Sequence, residues 1–422
     1  MGLQCERLEL KKGIYLNLIQ TDKFKSNLLS YYFIRPLSKD EVTRNALLPL
    51  VLKRGTEKYP TGLEIEKRLE ELFGSNLSIS VDKRGEKQVV RFSMEWARGD
   101  YLGNEDYNLE PVNMLRDIIF NPVLENGAFK KEYIAQEKES LRRKIEAKIN
   151  NKRSYAMNRC IEEMCRNEKF SIYHLGYSAD LDNIDENNEY SHYMNFIQTT
   201  PIEIFFVGNF DKKFISHMKE INDIERKEII PIPKETILTG VKTKNAVKDK
   251  MDVNQGKLVL GYRAGIPYDS PLYNGLILAS DILGGGPNSK LFRNVREKES
   301  LAYYITSTVY KYKSIMLIDA GIEFDNYDKT VDIVKKQLED LKAGVFTEDD
   351  MEISKKSLKT STESIKDSIF YISEFFFSQT LSKDTRTLEE IIKDIDKVTK
   401  DEVIAAADKI TMDTIYFMRN KK

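Results

Sequence analysis

The stretch Arg44-Asn-Ala-Leu-Leu-Pro-Leu-Val-Leu-Lys-Arg-Gly-Thr56 predicts a short apolar helix that leads into a tight glycine turn. Its apolar side chains run from residue 46 to residue 52, and the glycine is placed to end the segment. The shape is that of a metal-binding helix, which needs histidine or carboxylate side chains on one face. This stretch carries no such ligand. The elements around it decide which kind of domain it belongs to.

Those elements occur twice along the chain in the same order. The first half is predicted to have a strand at 28–34, helices at 46–52 and 65–73, and strands at 77–81 and 89–96. The second half is predicted to have a strand at 258–262, helices at 272–283 and 291–298, and a strand at 303–310. Each half continues with a long charged helix and ends in a short apolar strand, at 202–207 and at 414–418.

Two homologous α+β half-domains are the simplest explanation of this order, each a mostly antiparallel sheet covered on one face by helices. Mixed charge together with Pro231 and Pro233 predicts a linker at 223–250. The predicted domains are therefore residues 1–222 and residues 251–422. A chance similarity between two ordinary α+β domains is the alternative.

The composition excludes several classes of function. At 422 residues the chain is too long for one compact core. Its 66 Lys and Arg against 67 Asp and Glu leave a net charge of -1, which favours neither nucleic acid nor anionic lipid. The apolar run 47–52 is far shorter than the roughly 20 residues that span a bilayer, and residues 1–12 lack the apolar stretch of a signal peptide. We therefore expect a cytoplasmic protein with no membrane or nucleic-acid partner.

The cysteines and histidines form no metal-ligand pattern. The three cysteines, an odd number, fit a reducing compartment better than a disulfide framework, and they are Cys5, Cys160 and Cys165. The three histidines share no spacing typical of a metal site, and they are His174, His192 and His217. We expect buried or half-buried thiols and ordinary packing or surface histidines.

A second distinctive segment is Leu283-Gly-Gly-Gly-Pro-Asn-Ser-Lys-Leu-Phe-Arg-Asn-Val-Arg-Glu-Lys-Glu-Ser-Leu-Ala-Tyr-Tyr-Ile305. Three glycines before a helix suit a phosphate-binding turn, but no Lys-Ser or Lys-Thr of a P-loop follows at the required spacing. Taken alone, Arg296 is typical of a surface charge and Tyr303 of a strand aromatic that packs inward. Tyr304 is the adjacent candidate, and strand alternation would turn it to the other face.

The phrase Leu-Val-Leu-Lys-Arg-Gly-Thr56, followed by Tyr59 and Pro60, and the order of elements resemble the pitrilysin or insulinase-type zinc peptidases, the inverzincins. In that family the helix carries H-x-x-E-H before such a turn. The resemblance covers nearly the whole chain. It is closest to a bacterial subgroup built from two different half-size subunits, and within it to the subunit without zinc ligands. It implies two half-domains that form a clamshell.

The resemblance places the family's first histidine at Ala46, its glutamate at Pro49 and its second histidine at Leu50. Methyl, pyrrolidine and isobutyl groups can neither coordinate zinc nor move a proton, so we expect no metal and no cofactor in this chain. The family's third ligand is a glutamate on a later helix, and Glu137 or Glu139 lies in its neighbourhood. A solvated helix face is the alternative for both carboxylates.

The resemblance also implies that Arg296 and Tyr303 are catalytic in trans. The tyrosine would donate to the oxyanion and the arginine would hold the substrate backbone. Substrate-binding positions are implied for Gly284, Gly285, Gly286 and Ser289. The expected function is that of a non-zinc subunit of a heteromeric metalloendopeptidase, inactive alone, which cleaves peptides in a closed chamber. A homologous partner would supply zinc and H-x-x-E-H. The alternative is a catalytically inactive structural or peptide-binding protein of the same fold.

Overall fold

The computed structural model describes residues 2–103, 105–241 and 245–421. Residues 242–244 of the predicted linker lie outside the described residues. The chain divides into two compact units, each built from three segments. The first unit comprises Met1–Glu146, Ile172–Pro233 and Ile365–Lys383, and the second comprises Ala147–Ser171, Lys234–Ser364 and Asp384–Lys422.

The described residues form strands and helices whose bounds are given in chain order. The strands are β1 (Glu6–Lys11), β2 (Ile14–Gln20), β3 (Ser26–Pro36), β4 (Asn76–Arg84), β5 (Lys87–Ala97), β6 (Leu124–Glu125), β7 (Ala128–Phe129), β8 (Ile202–Gly208), β9 (Asn245–Lys250), β10 (Gly256–Arg263), β11 (Ala302–Tyr310), β12 (Ile315–Ile322) and β13 (Thr411–Arg419). The α-helices are α1 (Val42–Leu52), α2 (Gly62–Glu71), α3 (Leu109–Phe120), α4 (Lys131–Glu146), α5 (Lys152–Met164), α6 (Glu186–Thr199), α7 (Lys212–Ile221), α8 (Tyr273–Gly284), α9 (Tyr327–Lys342), α10 (Glu348–Glu363), α11 (Ile369–Ser382), α12 (Leu388–Lys397) and α13 (Lys400–Asp408). None of the helices in the described part of the chain is both long and apolar enough to cross a membrane.

The first unit contains a sheet in which the described strands pair in the order β1-β2-β8-β3-β5-β4. All neighbours are antiparallel except β2 and β8, which run parallel. The strand β3 is buried along nearly its whole length, as expected for a central strand with both faces covered. The core on one face is shared with α1, α3, α4 and α6. The α+β prediction with mainly antiparallel sheets is confirmed.

The second unit contains a sheet in which the described strands pair in the order β11-β12-β10-β13-β9. Its neighbours are antiparallel except β13 and β9, which run parallel. The strand β9 lies inside the segment predicted as a linker. Its side chains alternate between half-buried and exposed, but the charged composition Asn-Ala-Val-Lys-Asp-Lys hides that alternation in the sequence. An edge strand tolerates such charges because it has a neighbour on one side only.

Each sheet is covered on its second face by one helix from the opposite half of the sequence. In the first unit, Phe377 of α11 stacks on Tyr32 of β3 with ring centroids 4.0 Å apart. In the second unit, Cys160 and Met164 of α5 pack with Val259 of β10 and Leu317 of β12. The units therefore differ from the contiguous segments 1–222 and 251–422. Helices also cover two faces of each sheet, where one face was predicted.

Local signals explain how the elements around α1 begin and end. The predicted capping box is present, because the Thr61 hydroxyl accepts from the Glu64 amide and the Glu64 carboxylate accepts from the Thr61 amide. Gly74 has a φ of 72°, the left-handed conformation that favours glycine after a helix. The helix α1 begins at Val42 rather than at the predicted residue 46. The predicted helix 291–298 is a π-helix, Phe292–Lys298.

Candidate functional site

The helix α1 offers no metal ligand at the positions that the resemblance singles out. Ala46 and Pro49 are buried and Leu50 is half-buried against the first-unit core. Their aliphatic side chains have no donor atom for zinc, so these residues do not fit that metal. Across the described ranges, no group of three or more His, Cys, Asp and Glu side chains is arranged to hold a metal ion.

An arginine faces the later helix where the resemblance places a third ligand. Arg54, one turn beyond Leu50, lies with its Nη1 3.5 Å from Glu137 Oε1 of α4. Its Nη2 donates to Gln136 Oε1 at 2.5 Å, and its Cζ is 4.9 Å from the centre of the Tyr133 ring. Burial raises the pKa of Glu137 and the Arg54 charge opposes that shift. A cation of this chain therefore neutralises the half-buried carboxylate.

The geometry distinguishes the two glutamates that the sequence left open. Glu137 faces Arg54, and its side chain is only 12% exposed. Glu139 is exposed and lies 3.8 Å from Arg142 and 3.7 Å from Arg143 of its own helix. Glu137 is therefore the carboxylate on the α1 side of α4, whereas Glu139 lies on the solvated face.

A buried polar bridge, which the sequence analysis missed, fixes the other side of α1. His192 Nε2 of α6 lies 2.8 Å from Asn45 Oδ1, and Asn45 Nδ2 donates to Gln88 Oε1 of β5 at 2.9 Å. Gln88 Nε2 donates in turn to the carbonyls of Val42 and His174. Burial lowers the pKa of His192 to about 3, with nearby arginines acting in the same direction. The neutral ring therefore donates its Nε2 proton to Asn45, and the bridge positions α1 rather than performing chemistry.

A second buried group of the first unit is Glu189, which is 0% exposed. Its two carboxylate oxygens have no hydrogen-bond partner among the described residues. The Arg44 Nη1 atom lies 3.9 Å from Glu189 and donates to the neighbouring Asn188 carbonyl at 3.1 Å. Burial raises the pKa of Glu189 to about 8, against the pull of Arg44. The carboxyl group is therefore mostly protonated at neutral pH.

Irregular backbone carries the predicted Arg-Tyr pair in the second unit. Arg296 lies on the π-helix, exposed, with its Cζ 4.6 Å from the centre of the Phe292 ring. Ser300 has a φ of 54°, which is left-handed and unusual for a residue with a Cβ. The pairing of β11 with β12 shifts register between Ala302 and Tyr304, so Tyr303 lies in a β-bulge. π-helices and bulges are frequent at functional sites because they redirect side chains.

The bulge directs Tyr303 into solvent, where its side chain is 57% exposed. Its hydroxyl donates to the Glu323 carboxylate just beyond β12, and this hydrogen bond raises the pKa of Tyr303. Tyr303 therefore does not pack inward. Its neighbour Tyr304 is half-buried, with Arg153 4.4 Å and Lys257 5.4 Å from its ring centre. Of the two tyrosines, Tyr303 is the more exposed.

Close packing explains why the first two residues of the glycine turn have no side chain. A Cβ on Gly284 would approach the Ser307 backbone nitrogen of β11 to 2.6 Å, and one on Gly285 would meet the Asp281 carboxylate at 2.2 Å. A Cβ on Gly286 would meet nothing within 4 Å. Ser289 is buried, and its hydroxyl donates to the Gly286 carbonyl at 2.6 Å. These residues shape the turn before the π-helix, and their role in substrate binding stays a prediction.

Comparison with known proteins gives agreement along nearly the whole chain. Residues 184–358 match the family described as Peptidase M16 inactive domain. A Bacillus subtilis protein called probable inactive metalloprotease YmfF is 34% identical over 409 residues, which cover 96% of this chain and 96% of that protein. Another protein of the same organism, called uncharacterized zinc protease YmxG, is 28% identical over 152 residues, which cover 35% of this chain and 37% of that protein.

A solved structure supports the fold over the same length. It is that of a conserved protein from Enterococcus faecalis, which is 27% identical to this chain and superposes with a TM-score of 0.92. The match covers 99% of both chains. The similarity to the relative called inactive extends over both units. The similarity to YmxG covers about a third of the chain, and a Rickettsia felis protein called uncharacterized zinc protease is 25% identical over 273 residues, which cover 62% of this chain and 62% of that protein.

Proposed function

Because this chain belongs to the M16, or pitrilysin and insulinase-type, peptidase family and carries Ala46, Pro49 and Leu50 where the resemblance places the zinc-binding motif, we propose that it is the non-zinc subunit of a heteromeric metallopeptidase. In this proposal the chain is inactive alone, and a homologous partner supplies zinc, the H-x-x-E-H helix and the general base. This chain contributes Arg296, Tyr303 and part of the peptide-binding surface. A cytoplasmic location is part of the same proposal, and the three free thiols at Cys5, Cys160 and Cys165 support it.

The observation that carries the proposal is the exposure of Tyr303 on a β-bulge beside the edge of the second sheet. A tyrosine that serves only packing would bury its ring, yet this ring is mostly in solvent. Arg296 is exposed seven residues earlier, on another backbone irregularity. The left-handed Ser300 between them costs conformational free energy.

The chain's own residues can then perform two tasks on a bound peptide. The Tyr303 hydroxyl can leave the Glu323 carboxylate and donate instead to the oxygen that becomes negative when the peptide carbonyl is attacked. The Arg296 fork can donate two hydrogen bonds to carbonyl oxygens of an extended peptide. The edge of β11 offers backbone groups for strand pairing, which would bind many sequences.

The names of the relatives support a division of labour without demonstrating it. One organism, Bacillus subtilis, has both a relative called probable inactive metalloprotease and a relative called uncharacterized zinc protease. The first name also favours the alternative that we retain, a catalytically inactive structural or peptide-binding protein. Both functions need the same fold, and only the catalytic one needs the Tyr303 hydroxyl.

Co-expression with an H-x-x-E-H homologue from the same genome tests the proposal. We expect a stable heterodimer in size-exclusion chromatography and hydrolysis of a fluorogenic peptide that neither chain achieves alone. In that complex, Tyr303→Phe should lower turnover by about a hundredfold or more, the typical effect of removing one oxyanion donor. Arg296→Ala should lower kcat/KM further by weakening peptide binding.

Matched variants separate catalysis from general surface effects. Tyr371→Phe removes the hydroxyl of another tyrosine that is 57% exposed, and Lys298→Ala removes an exposed cation of the same π-helix. Both controls should keep full activity, and all four variants should melt at the wild-type temperature. If Tyr303→Phe and Arg296→Ala keep full activity in an intact complex, the catalytic role is excluded and the structural alternative replaces it.

A further inference from the structure

A cavity of about 510 Å³ opens beside the C-terminal half of α9 in the second unit. Part of the lining is apolar and comes from Val241, Ile410 and Met412. The helix α9 contributes Leu338 and three charged residues. The volume lies within the range of small-molecule sites, about 300–1,000 Å³. The cavity contains no residue of the Arg296–Tyr303 segment, so its occupant is a separate question from the proposed peptidase function.

The cavity is also lined by Tyr262 of β10, a residue that is only 1% exposed. The Tyr262 hydroxyl has no hydrogen-bond partner within the described part of the chain. Buried hydroxyls are nearly always paired, since leaving one unpaired forfeits its bonds to water. Burial also raises the pKa of Tyr262, so the hydroxyl keeps its proton and can donate a hydrogen bond. An acceptor atom brought within hydrogen-bond distance of this hydroxyl would satisfy it.

The charged side chains of the lining favour an anion. Lys342 and Glu339 form a salt bridge of 2.9 Å, so their charges largely cancel. Lys335 lies two turns before Lys342 on the same face of α9 and is exposed at the lining. Among the described lining residues, the sum of these three charges is one positive charge. The Glu339 carboxylate opposes an anion near Tyr262, but Lys342 holds it in its ion pair.

We propose that this cavity binds a small amphipathic monocarboxylate, of which a medium-chain fatty acid is the simplest member. Its carboxylate accepts a hydrogen bond from the Tyr262 hydroxyl, and the charge of Lys335 neutralises it. Its aliphatic chain packs against Val241 and Met412 of the apolar lining. A neutral alcohol of the same length would lack the charge that Lys335 complements, and an ammonium ion would be repelled by it.

Calorimetric titration of the full chain with decanoate, below its micelle-forming concentration, tests the site. Wild-type protein should bind one decanoate saturably, and decan-1-ol and decylammonium should bind at least about tenfold more weakly, the usual value of one charge-assisted hydrogen bond. Tyr262→Phe should weaken decanoate by about tenfold for the same reason while leaving the ligand-free melting temperature unchanged or higher, because the orphaned hydroxyl is removed.

A charge reversal at an exposed position keeps the test independent of folding in the core. Lys335→Glu should abolish decanoate binding and allow decylammonium to bind, whereas Lys336→Gln, an exposed neighbour on α9 that is not part of the lining, should leave decanoate binding unchanged. No saturable decanoate binding by the wild type overturns the proposal. Equal binding of decanoate by Lys335→Glu and wild type also overturns it, since the carboxylate would then lie elsewhere.

Discussion

Ser300 adopts a φ of 54° at the end of the π-helix, and the Leu301 amide donates to the Val295 carbonyl at 2.9 Å to close that end. A left-handed residue with a Cβ costs roughly 1–2 kcal/mol, which glycine does not pay. Glycine loses about 0.5–1 kcal/mol of this advantage through its larger freedom in the unfolded chain. The serine is therefore tolerated at a cost, and its side chain is exposed.

Ser300→Gly should raise the free energy of unfolding of the chain by about 0.5–1 kcal/mol, because it removes the Cβ that makes the left-handed conformation unfavourable. Urea denaturation followed by circular dichroism measures the change. Ser300→Ala keeps the Cβ and should give no gain. A loss of stability in Ser300→Gly would mean that the serine side chain, rather than the backbone, holds this turn.

Glu189 links stability to pH in a predictable direction. Its pKa is about 8 in the folded chain, against 4.5 for a free side chain, because burial disfavours the charged form. A raised folded pKa means that the folded state binds the proton more tightly. The contribution of Glu189 to stability is therefore complete below pH 4.5 and decreases as the pH rises towards 8.

Between pH 5 and pH 9, the wild type should lose stability relative to Glu189→Gln, whose amide does not titrate. Thermal melting of both proteins across this range measures the difference. The matched control is Glu139→Gln on the solvated face of α4, which should run parallel to the wild type at every pH. Parallel curves for Glu189→Gln and wild type would show that the carboxyl group is charged or hydrated in the folded state.

At the scale of elements, the Arg54–Glu137 pair joins the end of α1 to α4. Removing the cation leaves a carboxylate that is 12% exposed with only Lys144 to oppose the cost of its burial, whereas removing both charges does not. Because Arg54 itself is 37% exposed, solvent reduces the effect. We expect Arg54→Met to lower the free energy of unfolding by about 1–2 kcal/mol, below the value for fully buried pairs.

The double variant Arg54→Met with Glu137→Gln should recover most of that loss, and denaturant titration of the cycle measures the coupling. Arg143→Met removes the cation of an exposed pair with Glu139, 3.7 Å apart, and should change stability by less than about 0.5 kcal/mol. If the double variant is no more stable than Arg54→Met alone, the arginine acts by packing on Tyr133 rather than through its charge.

The elements around α1 were predictable because their signals are local. Apolar spacing and the Thr61–Glu64 capping box predict the helices, and alternation predicts β3 and β5. Strand alternation could not predict that Tyr303 is exposed. The bulge inserts one residue into β11, so the residues after it point to the opposite face of the sheet from the one that alternation predicts. The bridge between Asn45 and His192 joins residues 147 positions apart, so no local pattern contains it.

At the scale of the whole molecule, no local pattern in the sequence predicts that α5 and α11 each cover the sheet formed by the opposite half of the sequence. The reason for this exchange is that both faces of each sheet are apolar. The strand β8, Ile-Glu-Ile-Phe-Phe-Val-Gly, is buried at every position, so neither face of the first sheet can be left to solvent. Helices of the first half cover one face, and Ile369, Ile372 and Phe376 of α11 cover the other. The same holds for α5 on the second sheet.

Splitting the chain between Pro233 and Lys234 tests this exchange. The fragment 1–233 lacks α11 and the fragment 234–422 lacks α5, so each leaves an apolar sheet face uncovered. Expressed alone, each fragment should aggregate or fail to melt cooperatively, because an exposed apolar face of this kind promotes association. Co-expressed, the two fragments should form a soluble complex with a single cooperative melting transition.

The stability of that complex should depend on α11, the helix of fragment 234–422 that covers the sheet of fragment 1–233. Phe377 is buried and stacks on Tyr32, so Phe377→Ala in fragment 234–422 should cost about 3–5 kcal/mol and reduce recovery of the complex severely. Tyr371→Ala lies on the same helix at an exposed position and should leave recovery unchanged. Co-purification through a tag on fragment 1–233 measures both. Fragment 1–233 that is monomeric and melts cooperatively by itself would contradict the exchange, because its sheet would then need no helix from residues 365–383.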